Sequence, residues 1–139
     1  MRTVEQDKQD VAEVIEQYRL GFVTLDVATL TAMWDQSHGN IIYIPLEAAH
    51  PVRGWAAVEQ YYHRVARLLR ARVMTVSDVS VGVIGDVAYA FCTFHFEGEI
   101  SGTKHTADGR NTFILRRKSG AWKVIHYHES GPGPLEIAT

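Results

Sequence analysis

Residues 122–130, WKVIHYHES, gather an indole, two imidazoles, a phenol and a carboxylate into one short run. Histidines at H-x-H spacing beside a glutamate could bind a metal or move protons. A metal site of two histidines and one carboxylate needs all three groups to converge on one point. Strand side chains alternate faces. His126 and His128 are therefore predicted to share a face with Trp122 and Val124, and Glu129 to share the opposite face with Ile125 and Tyr127. Neighbours on one strand cannot converge, so a metal would need a ligand from elsewhere, such as His95. A half-buried sheet face or a subunit contact gives the same spacing, and no metal is assigned.

Other chemistries leave fewer traces. Cys92 sits in an apolar run, where a free cysteine is usually an inert small hydrophobe. There is no G-x-S-x-G elbow and no phosphate-cradling glycine loop, so no cofactor is expected. Arg64, Arg67 and Arg70 recur at steps of three near a predicted helix end, where cations are favourable and solvated. The Glu129 face is richer. Tyr127 and Asn111 would lie with it, and Tyr18, Trp34 and Tyr62 are large side chains with polar tips on helices that must cover the same space. A carboxylate in such surroundings has a raised pKa and can act as acid or base. Glu129 and Tyr18 are the candidate catalytic pair. Trp34, Tyr62, Phe94, Asn111, Phe113 and Tyr127 are the candidate ligand-binding residues. Core aromatics with incidental hydrogen bonds would give the same pattern.

The elements that must position these groups follow from period. Thr3 and Gln6 form a capping-box pattern, and Val11, Ile15, Tyr18, Phe22 and Leu25 repeat as one helical face. Asp26 caps a shorter helix carrying Leu30, Met33 and Trp34. NIIYIPLE (40–47) is strand-like up to Pro45. After Gly54 comes a third helix with Val58, Tyr62, Val65 and Leu69 on one face. The period then shortens. Val79, Val81 and Val83 alternate with small residues, Gly85-Asp86 signals a hairpin, and residues 87–98 return as a long strand. Asp108-Gly109 is predicted to be a further turn, followed by strands over 111–118 and 122–130 joined at Ser119-Gly120. Helices followed by an antiparallel meander indicate an α+β class. A long twisted sheet curls, and helices on its concave side would leave a cone with an open end.

The bulk numbers set the outer limits. The chain's 139 residues suit a single domain spanning 1–139. A formal net charge of −2 offers no general attraction to nucleic acid or an anionic membrane. The single cysteine, the charged start MRTVEQDKQD and the lack of any run near membrane-spanning length predict a cytoplasmic protein.

The stretches PVRGWAAVEQYY, GDVAYAFCTFHFEG and RNTFILRRKSGAWKVIHYHESG resemble nuclear transport factor 2-like proteins of the SnoaL-like branch, over nearly the whole chain. The last stretch is also similar to the end of the association domain of calcium/calmodulin-dependent kinase II. The resemblance implies three N-terminal helices packed on a strongly curved antiparallel sheet, a cone-shaped, cystatin-like α+β barrel, and commonly a homodimer. The superfamily includes ketosteroid isomerase, polyketide cyclases, dehydratases and ligand-binding modules without chemistry. Against the isomerase pattern, Tyr18 and Tyr62 match two hydrogen-bonding tyrosines and Trp34 replaces a third. The general-base aspartate falls on Ile44, before Pro45, and the oxyanion-hole aspartate falls near Asn111 or Thr112. An aliphatic side chain cannot abstract a proton, and Glu47 could substitute only if the following loop folds back. Against the kinase hub pattern, two pocket arginines fall on Glu129 and near Phe113, leaving Arg110 as the one candidate cation.

The reading that results is a small-molecule-binding, SnoaL-like dimer without established catalysis, its partner a small apolar or ring-containing molecule. The alternatives are an isomerase, cyclase or dehydratase using Glu129 and Tyr18, and an oligomerisation module.

Overall fold

Thr3 and Gln6 start the first helix by reciprocal capping. The Gln6 amide donates to Thr3 Oγ1 at 3.1 Å, and the Thr3 amide donates to Gln6 Oε1 at 2.8 Å. The computed structural model describes residues 2–137, the Arg72 side chain excepted. Helix α1 (Val4–Thr24) buries Val11, Val14, Ile15, Tyr18 and Phe22 and ends at Leu25 in the left-handed region. Asp26 then caps α2 (Val27–Ala32) by accepting from the Thr29 amide. Two short strands, β1 (Ile42–Ile44) and β2 (Val52–Arg53), precede α3 (Trp55–Leu68).

Four long strands follow: β3 (Leu69–Ile84), β4 (Val87–Ile100), β5 (Thr103–Lys118) and β6 (Ala121–Ser130). The sheet order is β2-β1-β6-β5-β4-β3. Every pairing is antiparallel except β1 with β6, which run parallel. The sheet curls into a half-barrel around α1, which packs against β3, β4 and β6. No described helix is long and apolar enough to cross a membrane.

Three expectations need correction. Asp108-Gly109 is not a turn: β5 runs through it, with His95 opposite Asp108 and Phe94 opposite Gly109. The turn lies at Ser101-Gly102, both at positive φ (52° and 77°). Gly109 is needed for close approach instead, since a Cβ there would stand 2.5 Å from the Phe94 ring. Next, β3 starts at Leu69, ten residues before the valine alternation. Register shifts between Ala71 and Val73 and between Ser77 and Ser80 break the period that would have revealed it. Arg70 is accordingly a strand residue, not a third member of a helical row.

The third correction concerns the face of β6. Leu115 pairs with Val124 and Ile114 with His126, so Ile125 is an extra residue, a β-bulge. Trp122 and Val124 therefore share the buried, helix-facing side with Tyr127, rather than with the histidines.

Charged side chains pin the ends of this architecture. Asp7, buried on α1, accepts from Arg117 Nη1 at 3.0 Å, Arg117 Nη2 at 2.8 Å and Trp122 Nε1 at 3.4 Å. The Arg117 guanidinium holds the Asp7 carboxyl well below the usual carboxylate range. At the loop after α2, buried Asp35 accepts from Lys118 Nζ at 2.8 Å.

Candidate functional site

Between α1, α3 and the concave sheet lies a cavity of about 410 Å³. Buried Tyr18, Phe22, Tyr43, Met74 and Phe94 form its floor. More exposed side chains, Leu46, Glu47, Arg64, Leu68, Ile100 and His105, form its rim. Glu129 enters from β6.

Of the eight candidate catalytic and ligand-binding side chains, Tyr18, Phe94 and Glu129 reach the cavity. Trp34, Tyr62, Asn111, Phe113 and Tyr127 stand one layer behind its wall, each at most 2 % exposed. Strand parity shows which face a residue takes, not how deep it lies, and the aromatic side chains in front of these five seal them off. Trp34 Nε1 donates to the Tyr62 hydroxyl at 2.9 Å within that second layer.

The second layer carries a directed chain of hydrogen bonds to Glu129. Cys92 Sγ donates to Asn111 Oδ1 at 2.8 Å, and Asn111 Nδ2 donates to the Tyr127 hydroxyl at 2.9 Å. Tyr127 donates to Glu129 Oε2. The Tyr18 hydroxyl lies 2.6 Å from that of Tyr127. Since the Tyr127 proton is committed to Glu129, Tyr18 is the donor to Tyr127. The other carboxylate oxygen, Oε1, accepts from the Leu46 amide at 2.6 Å.

Burial pushes the Glu129 carboxyl up to about 6, and nearby Glu47 adds to the rise. The Leu46 amide and the Tyr127 and Tyr18 hydroxyls oppose it by stabilising the ionised form. Burial also drives the Tyr18, Tyr43 and Tyr127 hydroxyls well above their ordinary range, so they keep their protons. Cys92, likewise buried, is pushed up to about 12 and is an inert thiol. The arrangement presents the Glu129 carboxylate, backed by neutral donors, to an apolar space.

The sequence reading gave little weight to Glu47, Tyr61, Tyr43 and Leu46. Ile44 does occupy the last position of β1, but the chain turns back after Pro45, with the Ala48 amide donating to the Pro45 carbonyl at 3.1 Å. That turn brings Glu47 to the cavity, where it accepts from the Tyr61 hydroxyl. Partial desolvation at the cavity rim raises its carboxyl as well. Tyr61 was open to detection, since 58, 61, 65 and 68 form a helical row as regular as the one through Tyr62.

The histidines stand on the other side of the sheet. His126 and His128, ring centroids 6.5 Å apart, line a shallow outer groove with Phe91, Arg110, Thr112 and Ile114. Arg110 is there too, donating to Ser130 Oγ at 3.1 Å, and so supplies no cation to the cavity. His95 is held between Asp108 (2.7 Å) and Glu97 (2.8 Å), away from the β6 pair. Among the described residues, no group of three or more histidine, cysteine or acidic side chains is placed to hold a metal ion.

Comparison with known proteins bears on this geometry. The sequence model of the SnoaL-like domain family matches residues 11–134. A nuclear transport factor 2-like superfamily protein from Salmonella enterica superposes with a TM-score of 0.81 at 21 % identity, covering 97 % of each chain. A ketosteroid isomerase-like protein from Erwinia carotovora gives 0.76 at 16 % identity, covering 93 % of this chain and 98 % of the other. A provisionally named dehydratase of the NTF2-like family from Streptomyces avermitilis gives 0.78 at 19 % identity, covering 92 % and 98 %. At these identities the likeness establishes a shared fold and nothing finer.

Proposed function

Because the chain belongs to the SnoaL-like domain family, we propose that the cavity inside its curled sheet holds a small, largely apolar, ring-containing molecule. The observation that carries this reading is the cavity itself. Its volume of about 410 Å³ falls within the range of small-molecule sites, and its floor is aromatic. A thermal-shift titration tests it. Tryptophol at saturating concentration is expected to raise Tm by several degrees. Met74→Trp, which fills the floor, is expected to abolish the shift. No shift with tryptophol or any other small ring compound, whatever its charge, would remove the reading.

A second reading, acid–base chemistry on the bound molecule as in an isomerase, cyclase or dehydratase, is favoured by one observation. Glu129 reaches the cavity with its carboxyl raised to about 6, which suits a proton acceptor at neutral pH. To act as the donor in this reading, Tyr18 would turn its proton from Tyr127 to the bound molecule. Base-promoted ring opening of 5-nitrobenzisoxazole tests it without knowledge of the natural substrate.

The assembly proposed is a homodimer with the outer sheet face covered by a second copy. Val87 and Tyr89, 45 % and 49 % exposed, extend that face beside Phe91. Light scattering is expected to give twice the 15.6 kDa chain mass. A monomer would refute the dimer, and a larger ring would favour an oligomerisation module.

A further inference from the structure

We infer that the molecule taken into the cavity carries a cationic nitrogen, an ammonium on a ring-bearing body, seated between Glu47 and Glu129. This rests on the small-molecule reading of the cavity and adds the charge of its occupant. The two carboxylates reach the space from unrelated parts of the chain, Glu129 from β6 and Glu47 from the turn after β1. Both are satisfied by neutral donors alone: the Leu46 amide and the Tyr127 hydroxyl at Glu129, and the Tyr61 hydroxyl at Glu47. Among the described residues, neither carboxylate forms an ion pair. Two uncompensated anions beside an apolar space raise each other's cost of ionisation, and a cation between them removes that cost.

The walls at this end suit an ammonium ion as well. The Tyr43 and Tyr61 rings meet edge to face, with centroids 5.5 Å apart, next to Tyr18 on the floor. Electron-rich ring faces attract ammonium groups, more strongly where water is excluded. Basic side chains line the cavity as well. Arg64 lies one helical turn beyond Tyr61 on α3. His105 lies six residues along β5 from Asn111, the partner of Glu129. At about 3.3 Å per residue that is roughly 20 Å along the strand. An anionic ligand would seek Arg64 or His105, so the two readings predict opposite charge preferences.

Three probes of one shape decide between them: tryptamine (cation), tryptophol (neutral) and indole-3-propionate (anion), measured by isothermal titration calorimetry. At pH 7.5 tryptamine is expected to bind about tenfold more tightly than tryptophol, and indole-3-propionate more weakly than either. The preference should shrink as pH falls through about 6, where Glu129 gains a proton and the ammonium stays charged. His105→Asn should leave that pH dependence in place. Glu129→Gln should remove it, and Glu47→Gln should reduce the preference at pH 7.5. If the variants do not fold, the pH dependence of the unaltered protein still decides. Tryptophol binding as tightly as tryptamine, or the anion binding most tightly, overturns the inference and leaves the cavity reading standing. Binding by none of the three overturns both.

Discussion

Trp34→Ala is expected to cost about 3–5 kcal/mol of folding stability, read as a lower urea midpoint at unchanged slope. The indole is 2 % exposed, and its ring meets Tyr43 edge to face with centroids 5.8 Å apart. Its Nε1–H is a hydrogen-bond partner of the Tyr62 hydroxyl, so truncation also leaves a buried phenol short of one donor. The residue joins the segment after α2 to the sheet as well. The Asp35 amide donates to the Val124 carbonyl at 2.9 Å, and the Val124 amide donates to the Met33 carbonyl at 2.8 Å. A domain of ordinary stability has only about 5–15 kcal/mol to lose. Trp34→Phe keeps most of the packing and loses the hydrogen bond, so it should fall between wild type and alanine. An alanine variant within about 1 kcal/mol of wild type would show that the Trp34 layer does not hold α2 to the sheet.

Glu129→Gln is expected to slow ring opening of 5-nitrobenzisoxazole by about 100-fold or more, the usual scale for loss of a positioned base. The amide keeps the shape of the carboxyl but has one oxygen, so it keeps either the Leu46 amide or the Tyr127 hydroxyl as its donor, and folding should survive with one of the two hydrogen bonds lost. In the unaltered protein the rate should rise with pH through about 6, as the carboxyl loses its proton, and then level off. That direction follows from the raised value: below it the group is protonated and cannot accept, above it the group is ionised and can. The variant should lose the rise. A folded Glu129→Gln protein with the full rate would take Glu129 out of this role, and Glu47→Gln would be the next substitution to measure.

The sequence disclosed some of this structure more readily than the rest. α1 was legible because Thr3 and Gln6 mark its start and its apolar row is unbroken. The Gly85-Asp86 and Ser119-Gly120 turns were legible for the same local reason. Gly109 misled because the residue suits two purposes, turning a chain and admitting a ring, and only the position of Phe94 decides which. The first half of β3 was hidden because its irregular register destroys the alternation that marks a strand. In the site, Tyr18, Phe94 and Glu129 could be placed by face. Glu47 could not, because its position depends on a turn held through Leu46 by Glu129, 83 residues from Leu46 in sequence.

The unpaired Ile125 divides β6 into two lengths with different allegiances. Upstream, Trp122 and Val124 serve the hydrophobic interior; downstream, Tyr127 and Glu129 serve the cavity while the imidazoles look outward. Pairing Ile125 as an ordinary strand residue would, by alternation alone, turn the downstream length over and exchange an acid for two imidazoles, with the upstream anchoring unchanged, whereas deleting Ile125 would leave every face as it stands. A scaffold with such a junction can change the reagents it offers by absorbing one bulge into the ladder, without rebuilding the part of the strand that keeps it folded.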